Sequence, residues 1–215
     1  MSLKIEYGKY YHIFNRGNNK EILFHEDADF SHFLNLYSTY ILPVSETLSW
    51  CLMNNHFHFC VRVKEKEEIG FLNPDDLIKN KNPLKWKINN EQITPKYFKP
   101  IPSRQFAHLF NAYSKWYNFK YSRSGSLFEK NFERSVVTSE SYLVDLIVYI
   151  NANPLKHKIK TNAQEYLWSS AKGIIEGSDA LCNTPLIWNY FDDSENFKHV
   201  INTCKWSEDF WKDSD

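Results

Sequence analysis

Two β-prone runs, Ser45 to Met53 and Phe57 to Val63, stand on either side of Asn54-Asn55. Asparagine tolerates the left-handed conformations that a tight hairpin turn requires, so the two runs read as antiparallel neighbours. A hairpin here confines the chain to folds with an antiparallel sheet, and the flanking segments narrow the choice. Tyr10-Tyr11-His12-Ile13-Phe14-Asn15 is aromatic and β-branched and ends at the turn cluster Arg16-Gly17-Asn18-Asn19, which makes a first strand. Phe30, Phe33, Leu34, Tyr37 and Ile41 recur at three and four residues behind Asp27 and Asp29. That spacing predicts an amphipathic helix from about Glu26 to Leu42, stopped by Pro43. Beyond the hairpin, Phe106, Leu109, Phe110, Tyr113 and Tyr117 predict a second helix over Ser103 to Tyr117, with Ser103 as its N-cap. After the turn Ser124-Gly125-Ser126, Phe132 to Thr138 reads as a fourth strand and Ser141 to Asn151 as a further helix ended by Asn153-Pro154.

The order βαββαβ predicts an α+β fold, the ferredoxin-like antiparallel sheet with helices on one face. Strands one and three are central in that arrangement, so His12 is expected beside the third strand. One domain is expected over 1–155, with an inserted subelement at about 64–102 that carries a short helix near Pro74 to Asn80. Residues 156–215 read as a helical extension packed on the domain around Trp168, Trp188, Phe197 and Trp206. With 42% hydrophobic and 17% aromatic residues, 215 residues bury a core without disulfides or a structural metal. Cys51, Cys60, Cys182 and Cys204 form no CxxC pair, which excludes a zinc ribbon and predicts reduced, mostly buried thiols. No apolar run is long enough to span a bilayer, and the N-terminus lacks a signal-peptide layout, so the expected location is cytoplasmic and away from membranes.

The 26 basic and 26 acidic residues cancel, but unevenly along the chain. Eight Lys and Arg face two Glu between Lys96 and Arg134, whereas Tyr190 to Asp215 holds three Lys against seven Asp and Glu. The first stretch can face phosphates and the tail cannot.

His56-Phe57-His58 places two imidazoles on one face of the third strand, because side chains alternate with a period of two. Such a pair can hold one divalent cation and leave positions open for substrate, as Lewis-acid chemistry requires. Tyr113 and Tyr117 on the second helix are candidate nucleophiles. An ordinary phenol titrates near ~10, so it needs a cation or base beside it to react at neutral pH.

Several strings together resemble the REP-associated tyrosine transposases, which belong with the single-tyrosine HUH transposases of small insertion sequences. Tyr11-His12-Ile13-Phe14-Asn15-Arg16-Gly17-Asn18 is similar to the family's opening strand and turn, and Leu52-Met53-Asn54-Asn55-His56-Phe57-His58 to its metal motif. Tyr113-Ser114-Lys115-Trp116-Tyr117-Asn118 looks like its nucleophile helix, followed by Gly125-Ser126-Leu127-Phe128-Glu129. Tyr149-Ile150-Asn151-Ala152-Asn153-Pro154 and Trp168-Ser169-Ser170 match two further segments. The resemblance implies a metal-dependent nickase and strand transferase acting on single-stranded or hairpin DNA. Its tyrosine, taken as Tyr113, forms a 5′-phosphotyrosine ester and leaves a free 3′-hydroxyl, with Mg²⁺ or Mn²⁺ held by His56 and His58.

Relatives in small insertion sequences carry an amide ligand four positions after the nucleophile, a place that Tyr117 occupies here. Asn118 and His12 are the expected substitutes, although one helical residue rotates Asn118 by ~100°. Arg16, Lys115, Lys120, Arg123, Lys130 and Arg134 are the expected phosphate contacts, with Trp116 and Phe128 as stacking platforms. Two other readings compete: a domesticated, non-catalytic binder of DNA hairpins, and a metal hydrolase unrelated to DNA. The sequence leaves monomer and homodimer open.

Overall fold

The computed structural model describes residues 5–72, 86–87, 97–129 and 132–204. Its elements in chain order are β1 (Tyr10–Arg16), α1 (Asp27–Tyr40), β2 (Ser45–Met53), β3 (His56–Val63), β4 (Phe71–Leu72) and β5 (Trp86–Lys87). Then follow α2 (Pro102–Lys120), β6 (Glu133–Val136), α3 (Glu140–Lys156), α4 (Ala171–Glu176), α5 (Thr184–Trp188) and α6 (Ser194–Thr203). The main sheet runs β2-β3-β1-β6, and every neighbouring pair is antiparallel. This is the ferredoxin-like order expected from the sequence. β4 and β5 pair as a small ribbon inside the expected insertion, while the helix expected near Pro74 to Asn80 lies outside the described residues.

β2 and β3 are joined at Asn54-Asn55 with Met53 opposite His56. Neither asparagine takes a positive φ, which corrects the expected left-handed turn. The carbonyls of this turn are held from outside the hairpin. Asn54 O accepts from the amides of Leu23 and Phe24 at 2.7 and 3.0 Å, and Asn55 O accepts from Gly17 N at 2.8 Å. In this region the positive φ values fall instead on Asn19 and Lys20, in the turn after β1. Gly17 at its start has no room for a side chain, because a Cβ there would meet the carbonyl oxygen of Glu21 at 2.0 Å.

Alternation along the strands builds two cores. On one face Tyr11, Ile13, Phe57, Phe59 and Val61 meet Phe30, Phe33 and Tyr37 of α1 and Phe106, Leu109 and Tyr113 of α2. Cys51, Met53 and Cys60 lie in a second core with Leu146, Ile147 and Ile150 of α3. Ile174, Ile187, Phe197 and Ile201 from α4, α5 and α6 share that second core. Two helices therefore cover one face of the sheet as expected, and α3 covers the other.

Two helix boundaries depart from expectation. Ile101 is the N-cap of α2 and Pro102 its first residue, so Ser103 lies inside the helix, in keeping with the preference of proline for that position. Pro154 sits within α3 instead of ending it: proline removes one backbone donor, and His157 N still reaches Asn153 O at 3.1 Å.

Trp168-Ser169-Ser170 lies along the outer edge of β2, with Leu52 N donating to Trp168 O and Ser170 N to Trp50 O, each at 2.9 Å. The hydroxyl of Ser170 donates to Asn151 Oδ1 of α3 at 2.8 Å. One segment thus protects a strand edge and pins α3 to the sheet. All four cysteines are free thiols; Cys51 and Cys60 are fully buried, which pushes their thiols above the usual range. Among the described residues no helix is long and apolar enough to cross a membrane.

Candidate active site

His56 and His58 sit on the α3 side of β3, while Phe57 points into the opposite core. Each imidazole is oriented through Nδ1. His56 Nδ1 pairs with Asn55 Oδ1 at 2.8 Å, and because an amide oxygen accepts, this partner favours a proton on Nδ1 and a lone pair on Nε2. His58 Nδ1 lies 3.0 Å from His12 Nε2, so the nitrogen that His58 can offer a metal is Nε2.

α3 brings the remaining chemistry. Its stretch from Leu146 to Pro154 is buried throughout, wedged between the sheet and the C-terminal helices. Tyr149 and Asn153 are four residues apart and share the face toward the histidines. The Tyr149 ring stands edge-on to His58 at 5.5 Å and to His12 at 6.2 Å between centroids. One turn on, Asn153 Oδ1 lies 3.4 Å from His56 Nε2. Lys156 places its ammonium 5.0 Å from the Tyr149 ring centroid, and the His157 ring is 5.2 Å from that of His56.

These groups fit a divalent cation. With Nδ1 of His56 donating to Asn55, its Nε2 lone pair faces the Asn153 amide oxygen, so two acceptors oppose each other. The other amide atom, Asn153 Nδ2, is buried without a hydrogen-bond partner. Exchanging the amide oxygen and nitrogen only moves the orphan to the oxygen. Two buried acceptors that face each other repel unless a cation lies between them, whereas the Nδ2 donor calls for an acceptor such as a phosphate oxygen. Among the described residues no three His, Cys, Asp or Glu gather around an ion, so a third donor has to be of another type. The amide oxygen of Asn153, 3.4 Å from His56 Nε2, is of that type and is placed to supply it. Two imidazoles and one amide oxygen suit Mn²⁺ better than the oxygen-preferring Mg²⁺.

The structure does not bring Tyr113 to the histidines. It lies on the far side of the sheet, edge-on to Phe33 at 5.0 Å, with its hydroxyl donating to Leu23 O at 2.6 Å. Burial, with the Asp29 carboxylate nearby, pushes its phenol well above the usual range. Tyr117 donates to Ile22 O at 2.6 Å, and burial raises its phenol to about 12. Asn118 is bound to Gly125 O at 3.0 Å and to Arg123 at 2.9 Å, away from the histidines, which corrects its place as a ligand. His12 is adjacent as expected, and it meets His58 on the Nδ1 side, opposite the nitrogen that His58 can offer a metal. Burial lowers the His12 imidazole to about 3 and keeps it neutral.

The sequence signal for α3 was the string Tyr149-Ile150-Asn151-Ala152-Asn153, which has the amide four positions after a tyrosine that Tyr113 lacks. Tyr149, Asn153 and Lys156 are not among the site residues expected from the sequence.

The expected phosphate contacts divide. Arg16, opposite His56 in the sheet, lies beside the site, with Nε 2.7 Å from Glu129. Lys120 is bound by Glu26 at 2.6 Å and by Asp29, and Arg123 by Glu21 at 2.6 Å, so carboxylates already neutralise both. Lys115 is exposed on α2, and Arg134 lies 4.9 Å from the Phe132 ring centroid. Lys130 is outside the described residues. Of the two stacking candidates, Phe128 is buried and Trp116 stacks on His32 at 4.1 Å. Next to the site, the end of α3 and the turn after it hold Lys156, His157, Lys158 and Lys160 with no acidic residue among them.

No family model and no curated protein matches the sequence. Among solved structures, the chain is similar to a REP-associated tyrosine transposase bound to a REP hairpin, with a TM-score of 0.51. The match covers 84% of this chain and 87% of that one at 12% identity, which establishes a shared fold.

Proposed function

We propose that the protein is a metal-dependent DNA nickase and strand transferase of the single-tyrosine transposase type, with Tyr149 as its nucleophile. The observation that carries this reading is Tyr149 edge-on to His58 with Asn153, one turn later, facing His56 Nε2. A divalent cation held by His56, His58 and Asn153 would polarise a scissile phosphate. Tyr149 supplies the attacking oxygen: its bond to phosphorus forms as the bond to the 3′ oxygen breaks. The phenolic proton leaves to solvent, and the departing oxygen takes one up. One phosphodiester becomes one phosphotyrosine ester, so rejoining needs no nucleotide cofactor. The Lys156 ammonium over the ring favours the developing phenolate.

Incubation with Mn²⁺ and labelled single-stranded hairpins from the genomic flanks, followed by denaturing gel and peptide mapping, tests the reading. A covalent adduct on the peptide containing Tyr149 supports it. One observation favours the non-catalytic alternative: Tyr149 and His58 are fully buried, so a phosphate reaches them only if α3 or the chain after it shifts. Salt-sensitive hairpin binding without an adduct would select that alternative.

Two further results are expected. Asn153→Leu should weaken Mn²⁺ binding at least ~10-fold by titration calorimetry while the fold persists, since a ligand matters no less than the groups that orient one. Unchanged affinity would remove Asn153 from the site. Lys158→Ala with Lys160→Ala should reduce the slope of log affinity against log salt by about 1.4 to 1.8, at ~0.7–0.9 per phosphate contact. Lys120→Ala with Arg123→Ala should leave that slope nearly unaltered, because both cations are held by carboxylates. The reverse ranking would place the DNA on the α1–α2 side.

A further inference from the structure

His12 is 2% exposed and sits at the centre of β1, opposite Cys60 of β3 and Ser135 of β6. Its ring packs against Phe14 at 4.5 Å and His58 at 5.2 Å, with Tyr149 edge-on at 6.2 Å. A phenylalanine would fill such a place without bringing polar nitrogens into the core. The imidazole adds a 3.0 Å contact between its Nε2 and Nδ1 of His58.

That contact holds one proton, on one nitrogen or the other. If His12 Nε2 carries it, His58 Nδ1 accepts, and neutral His58 must be protonated on Nε2, where it cannot bind a metal. If His58 Nδ1 carries it, His12 Nε2 accepts, and the Nε2 lone pair of His58 is available. Metal binding through His58 Nε2 therefore requires the second arrangement, with His12 in its own Nδ1–H tautomer. The two rings stand in one row on the sheet, so the acceptor also fixes the angle at which His58 faces α3.

We infer that His12 is the positioning residue of the site: its Nε2 accepts the Nδ1–H of His58 and so fixes the tautomer and ring orientation that offer His58 Nε2 to a divalent cation. The inference rests on the metal-site reading above and deepens it. Asn55 does the same for His56 with an amide oxygen, so both histidines are oriented by an acceptor on Nδ1. Such outer partners of metal-binding imidazoles affect affinity by ~10–100-fold.

Mn²⁺ titration of the full chain, followed by electron paramagnetic resonance, tests this in wild type, His12→Phe, His12→Gln and His58→Ala. Nitrogen-15 spectra of the metal-free proteins report the tautomer of His58. His12→Phe should weaken Mn²⁺ binding ~10–100-fold with the fold intact, and His58 should lose its fixed Nδ1–H form. His12→Gln, which returns an acceptor at about the reach of Nε2, should recover most of the affinity, and His58→Ala should bind far more weakly than either. Wild-type affinity in His12→Phe, or an unchanged His58 tautomer, would overturn the positioning role and leave the metal site standing. Loss in His12→Phe equal to that in His58→Ala, with no recovery in His12→Gln, would make His12 a direct ligand and overturn the role as well. A wild-type chain that binds no Mn²⁺ refutes the metal site itself, and is distinguished by needing no variant.

Discussion

Tyr149→Phe is expected to abolish the covalent protein–DNA adduct and lower strand cleavage by ~10³-fold or more, with hairpin affinity nearly unchanged. The substitution removes one oxygen and keeps the ring that packs on His58 and His12. Mn²⁺ affinity should hold as well, since the proposed ligands are His56, His58 and Asn153. Tyr113→Phe is the matched control. Its hydroxyl serves Leu23 O inside the α1–α2 core, so its loss leaves a buried carbonyl without its donor. The expected cost is ~1–3 kcal/mol of stability, read from urea denaturation, with adduct formation preserved. An adduct that survives Tyr149→Phe and vanishes with Tyr113→Phe would return the nucleophile to α2. The protein would then need a rearrangement that carries Tyr113 around the sheet, because the Phe57 layer separates it from the histidines.

The strands and the histidine pair were legible because a period of two needs no tertiary information. Once Phe57 is assigned to a core, His56 and His58 must face the other way. The choice of helix was not legible by the same means. α2 and α3 both follow the sheet hairpin and both carry tyrosines on a buried face, and which side of the sheet each covers is decided by crossover geometry. One local sign did distinguish them: Leu146 to Ala152 is apolar on nearly every side, as befits a helix covered by the sheet and by other helices. The amide spacing after Tyr149 pointed the same way. The cation set divides for a different reason. A count of charges between Lys96 and Arg134 cannot reveal that Glu21, Glu26 and Asp29, nearly a hundred residues earlier, hold Lys120 and Arg123.

Asp29→Ala is expected to cost ~3 kcal/mol of stability, a large share of the ~5–15 kcal/mol typical of a domain. The carboxylate is fully buried in the first turn of α1 and accepts from His25 N at 2.7 Å, Glu26 N at 3.2 Å, Tyr121 Oη at 2.7 Å and Lys120. It therefore caps α1 and ties that helix to the end of α2. Burial alone would raise its titration, but the bonds from Lys120, Tyr121 and the two amides outweigh burial and hold it below the ordinary carboxylate value. A lowered folded-state value means that this stabilisation is complete above the unfolded-state value of ~3.9 and is lost as pH falls through the folded-state value. Urea denaturation from pH 7 down to pH 3 should thus show wild type losing stability at the acid end, with a shallower loss in Asp29→Ala. Equal acid slopes would mean that the carboxylate is not held below its ordinary value. The variant also bears on DNA, because Asp29 keeps Lys120 engaged on the face away from the histidines. Freed of it, Lys120 still has Glu26, so hairpin affinity should change little while stability falls, separating the fold-holding charges from those at the end of α3.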